Sequence, residues 1–70
     1  MIKIGKKIKS MREERELTHS ALAEAIGCSS GLISLWEHGL RIPSAESLVS
    51  LSTFFKVTTD YLLGLEDMPV

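Results

Sequence analysis

Residues 27–39 read GCSSGLISLWEHG, and how this stretch is divided decides the fold. Gly27 suits the left-handed position that closes a helix, because glycine takes a positive φ without steric penalty. Ser29 is a favoured N-cap, its hydroxyl able to accept from an N–H in the first turn of the next helix. A helix ending at Gly27 is therefore separated from the next one only by Gly27, Cys28 and Ser29. Ile33 and Trp36, three apart, give the later helix an inward face, and Gly39 stops it after His38. So short a turn of small residues makes the two helices cross steeply instead of running antiparallel.

The same signals mark the rest of the chain. Upstream, Thr18 caps a helix over His19–Ile26 with Leu22 and Ile26 as its apolar stripe. Before it, a first helix runs from about Gly5 to Glu16, with Ile4, Ile8, Met11 and Arg15 at helical spacing. Downstream, Pro43 interrupts and Ser44 caps a fourth helix from Ala45 to about Phe55, which buries Leu48, Leu51 and Phe55. Thr58 caps a short fifth helix ending at Gly64. Residues 65–70 are expected to be a short flexible tail. No segment alternates with strand period and no repeat occurs. The pattern predicts an all-α, compact five-helix bundle over residues 1–64.

Composition limits what such a bundle does. The chain has 70 residues, 44% hydrophobic and 24% charged, with a formal net charge of −1, which fits a single soluble globular domain. Its apolar runs are too short to span a bilayer, and MIKIGKKIKSM at the start is not followed by a signal-peptide h-region. Cys28 is the lone cysteine, so no intramolecular disulfide forms, and a cytoplasmic location is expected. It is read as filling a small apolar site beside the turn. His19, His38 and Cys28 match no zinc spacing. No paired acid and base, nucleophile motif or phosphate loop appears, so neither an enzyme nor a cofactor is expected. Charge is uneven: residues 1–41 carry seven Lys/Arg against five acids, while residues 42–70 carry Lys56 against four acids. A basic first half suits a phosphate-facing surface.

Two helices crossing over a three-residue turn form a helix-turn-helix, in which one helix lies across the DNA backbone and the next enters the major groove. The wider sequence adds to this. IGKKIKSMREERELTHSALAEAIGCSSGLISLWEHGLRIPS and the later FKVTTDYLLG closely resemble the Cro/CI-type helix-turn-helix domains of phage repressors and related bacterial regulators. The resemblance covers roughly residues 4–64. It rests on ALAEAIG, on IS-x-WE-x-G at Ile33–Gly39, on R-x-P-S at Arg41–Ser44, and on DYLLG. It implies a lambda-repressor-like bundle that binds operator DNA, usually as a homodimer.

Carried over by position, the resemblance assigns roles. Arg12 and Glu37 match a pair in which the Arg also meets a phosphate. The plainer alternative is a surface ion pair worth ~0–1 kcal/mol. Thr18 and His19 open the second helix where phosphate contacts are expected, His19 standing in place of a common Gln. Leu32 and His38 lie nearer the flanking backbone, and Arg41 matches a second phosphate clamp. Lys6, Lys7 and Lys9 fit a solvated face that adds attraction. Phe54 and Tyr61 suit a dimer interface on the fourth and fifth helices. Lys56 occupies a helix exit where Gly or Asn is common, with strain if the geometry is left-handed.

By the same resemblance Ser30, Gly31, Ser34 and Leu35 face the bases. Yet residues 27–39 hold no Arg, Lys, Asn or Gln, the strongest hydrogen-bonding readers of base edges. Readout is then expected to rest on serine hydroxyls, contact of Leu35 with a thymine methyl, water and DNA shape. The leading function is a transcriptional regulator, a repressor occupying a palindromic operator. The alternative is a protein-interaction module, of the antitoxin or anti-repressor kind. Its partner would cover an apolar patch of Leu32, Leu35, Leu40 and Ile42.

Overall fold

Four of the five helices begin with one local device. Thr18, Ser29, Ser44 and Thr58 each hold an extended backbone, and each hydroxyl accepts from the N–H three residues on, at Ala21, Leu32, Ser47 and Tyr61. This satisfies one of the donors that a helix start leaves unpaired. The computed structural model describes residues 3–65. Its helices are α1 (Ile4–Glu14), α2 (His19–Ile26), α3 (Ser30–Glu37), α4 (Ala45–Phe55) and α5 (Thr59–Leu62), with no strand among the described residues. The all-α, five-helix expectation is met. The tail expected at 65–70 falls, from residue 66 on, outside the described residues. Among the described residues no helix is long and apolar enough to cross a membrane.

Helix α1 ends two residues before the expected Glu16. Glu16 takes φ 55, its N–H returning to the Glu13 carbonyl and that of Leu17 to the Arg12 carbonyl. This is a Schellman closure with glutamate at the usual glycine position. Lys56 likewise leaves α4 in left-handed geometry, φ 59 and ψ 45, a conformation that costs a non-glycine residue about 1 kcal/mol.

The core is assembled from every helix. Ile8, Leu22, Ile33, Trp36, Leu51, Phe55 and Leu62 are fully enclosed, and Ile4, Met11 and Ala23 complete the cluster. Ile26 and Leu48, expected inside, are only half-buried against it. Cys28 packs at the same margin, where burial pushes its thiol pKa up.

Arg15 departs from its expected place on the apolar stripe. It is exposed, its guanidinium lies 4.8 Å from the Phe55 ring centroid, and Nη2 donates to the Phe55 carbonyl at 3.1 Å. The cation thus ties the end of α1 to the C-terminus of α4, where its charge is favoured.

Helix α1 also rests directly on α3. A Cβ on Gly5 would run into the carbonyl oxygen of Trp36 and stand 3.1 Å from Cα of Glu37. That backbone contact sets the distance at which Arg12, two turns along, meets α3.

Candidate nucleic-acid interface

Arg12 is a buried cation, 9% exposed. Its Nε donates to Oε2 of Glu37 at 2.7 Å and its Nη2 to Oε1 at 3.2 Å, a two-pronged pairing, while Nη1 donates to the Leu17 carbonyl at 2.8 Å. His19 joins them, with Nε2 3.0 Å from Oε1 of Glu37. A carboxylate only accepts, so the ring nitrogen donates. The Glu37 side chain is 4% exposed. Burial pushes its carboxyl pKa up, but hydrogen bonds from Arg12 and His19 overcome this and leave it below the ordinary range. The bond to Glu37 raises the Arg12 pKa against an opposing burial effect. The pair is therefore not the solvated surface contact weighed from sequence. It is enclosed, and it neutralises an acid that would otherwise repel phosphate.

This triad also fixes the geometry of the surrounding surface. Because His19 opens α2 and Glu37 closes α3, their contact sets the N-terminus of α2 beside the C-terminus of α3. Ser30 and Gly31 lie exposed on α3, and Ser34 and Leu35 are half-buried. A Cβ on Gly31 would meet nothing within 4 Å. Thr18 is exposed, and its Oγ1 accepts from the Ala21 N–H at 3.0 Å, which leaves a hydroxyl able to donate. His38 and Arg41 are exposed beyond the end of α3.

Two of the residues expected near phosphates also make contacts inside the protein. Arg12 directs one hydrogen each from Nε, Nη1 and Nη2 to Glu37 and Leu17, three of the five that a guanidinium carries. Leu32 packs half-buried against the core, and its backbone N–H bonds to Ser29. Its side chain has no polar group to offer. The part played by His19 as third member of the triad was not legible in the sequence, where it is 18 residues from Glu37 with no shared motif.

The two aromatics expected at an interface differ in surroundings. Phe54 is 37% exposed and meets Phe55 edge to face, ring centroids 5.1 Å apart. With Ala25, Ile26, Val49, Ser50 and Thr53 it lines an open groove of about 410 Å³ between α2 and α4. Tyr61 is half-buried beneath Nζ of Lys7, 4.1 Å from the ring centroid. Lys7 is thus engaged in a cation–π contact and not simply solvated.

The fold and this arrangement define a helix-turn-helix protein. Residues 8–62 match a family described as helix-turn-helix, and the chain belongs to it, with the Cro/CI-type character its sequence motifs suggest. It is 39% identical over 67 residues to the HTH-type transcriptional activator BcrR of Enterococcus faecalis, covering 96% of this chain and 33% of that protein. It covers about half the length of three Bacillus subtilis regulators that it also matches. Among solved structures, the P22 c2 repressor in complex with a synthetic operator superposes with a TM-score of 0.85 at 32% identity, covering 90% of this chain and 96% of that one. SinR, the master regulator for biofilm formation, solved in complex with DNA, superposes at 0.78 with 34% identity, covering 86% and 97%.

Proposed function

We propose that this chain binds double-stranded DNA as a cytoplasmic transcriptional regulator and has no enzymatic role. Helix α3 enters the major groove with Ser30, Gly31, Ser34 and Leu35 toward the bases. Thr18, His38 and Arg41 contact the phosphates on either side, and His19, whose Nε2 hydrogen is given to Glu37, joins them through Nδ1 when its ring is charged. The observation that carries this reading is the His19–Glu37 contact, which gathers donors from the start of α2 and the end of α3 around one exposed helix edge. The P22 c2 and SinR complexes support it by similarity. Base selection rests on few hydrogen bonds, with Leu35 against a thymine methyl and DNA shape carrying much of the rest. Repression by occupying the site is the mode proposed, with a homodimer formed through the surface bearing Phe54 and Tyr61.

Selection from a random duplex library, with affinities taken at two salt concentrations, tests the proposal. A palindromic consensus with half-sites about 34 Å apart is expected for a two-fold dimer, with affinity falling steeply as salt rises. No enrichment, together with weak binding insensitive to salt, refutes it. That result favours a second reading in which a protein covers the turn after α3, where Leu40 and Ile42 are 72% and 66% exposed.

A further inference from the structure

The two histidines flanking the exposed edge of α3 are held by different acceptors. His19 gives its Nε2 hydrogen to the Glu37 carboxylate. His38, the C-cap of α3, has Nδ1 2.8 Å from the carbonyl oxygen of Ser34 and 3.4 Å from the Ser34 hydroxyl. The same carbonyl accepts the backbone N–H of His38 at 3.0 Å. A carbonyl has no hydrogen to give, so Nδ1 carries one whatever the charge of the ring. The tautomer is thereby set, and in the neutral ring Nε2 presents a bare lone pair. A phosphate oxygen also presents only lone pairs. The neutral ring therefore cannot bond it through Nε2, whereas the imidazolium donates with its full charge.

We propose that His38 is a proton-gated phosphate contact, so that DNA binding by this chain takes up a proton at the end of α3. The inference rests on the DNA-binding reading. The groups around the ring favour the gate. The C-terminus of α3 stabilises a cation at its cap. The carboxylate of Glu37, the adjacent residue, is held by Arg12 of α1 and His19 of α2. Arg41, three residues on, is a cation that opposes charge on the ring, but it is exposed, where solvent and salt screen it. Among the described residues no ion pair engages His38, so a phosphate is the counter-charge that completes it. Histidine changes charge between about pH 5 and pH 8, and the sign follows: affinity rises as pH falls.

The test is anisotropy titration of two labelled duplexes, one carrying the selected sequence and one of mixed sequence and equal length. Both are followed from about pH 5.5 to 8.5 at constant ionic strength. Where the ring is neutral in the free protein and charged against phosphate, the proton taken up makes affinity rise about tenfold for each unit of falling pH, and once the free ring is itself charged the gain stops. The His38→Gln amide donates at any pH but carries no charge, so this variant should bind more weakly than the parent in mild acid, keep part of the contact, and lose one proton per protomer from the slope. His38→Ala should lose both. The change should appear on both duplexes, because phosphates are common to every sequence. Calorimetry in buffers of differing ionisation heat should count the same missing proton. The exposed position of His38 leaves the fold intact, which the thermal midpoint checks. An unchanged slope in His38→Gln overturns the gate while DNA binding stands. A change confined to the selected duplex also overturns it, since it would mark a base contact. No binding to either duplex at any pH overturns the gate and the DNA-binding reading together.

Discussion

Gly5 and Gly31 are both glycines inside helices, and each borders α3, but their surroundings are opposite. Gly5 is buried, and a Cβ there would strike the backbone at Trp36. Gly31 belongs to α3 and has nothing within 4 Å of the corresponding point. One residue is glycine because two helices touch through it. The other has no reason within the protein to be glycine, and inside a helix it costs about 0.5–1 kcal/mol relative to Ala. The inner side of α3 is held by close packing and a buried ion pair. Its outer edge is free of such demands, which suits a surface that meets another molecule.

The most severe test of the held side is Glu37→Ala, which leaves Arg12 buried without its counter-ion. A loss of about 3–5 kcal/mol is expected, and thermal unfolding should show a midpoint lower by on the order of 10 °C or more. An unchanged midpoint would return the triad to the rank of a surface pair. Acid unfolding follows from the same residue. The folded pKa of Glu37 is depressed, so its contribution is complete above the ordinary carboxyl value of about 4.3 and is lost as pH falls through the lower folded value. Glu37→Gln should remove that component from the acid limb of the stability profile.

Gly5→Ala comes next. Overlap with the Trp36 carbonyl forces α1 away from α3, at about 1–3 kcal/mol, measured by chemical denaturation. Gly31→Ala should act the other way and stabilise by about 0.5–1 kcal/mol, while changing which duplexes a library selection returns. If instead it destabilises, the contrast between the two glycines fails. The smallest effect belongs to Lys56→Gly, which relieves a left-handed residue at φ 59 but adds freedom to the unfolded chain. A gain of about 0.5 kcal/mol is expected.

Much of the bundle was readable because its determinants are local. A hydroxyl that caps a helix acts on an N–H three residues away, so Thr18, Ser29, Ser44 and Thr58 mark their helices in any context. Ile8, Leu22, Ile33 and Leu51 follow from periodicity alone. The Arg12–Glu37 pair came from the resemblance and not from the residues, and its burial came from neither. Glu16 was read as helical because nothing in a glutamate announces a positive φ. Gly5 between Ile4 and Lys6 could have been noticed, since a glycine beside core positions often marks a close approach of backbone.

The sequence by itself thus determined the helices, their order and the tight crossing of α2 and α3, because caps, turns and apolar spacing act over three or four residues. Only the tertiary structure decided that Arg12, His19 and Glu37 meet, that Arg15 closes α4, and that Leu32 packs half-buried against the core. Such contacts join residues 18 to 40 positions apart, or depend on which face of a helix its neighbours cover. Burial of that kind is a property of the packed bundle and is not encoded in any short stretch of the chain.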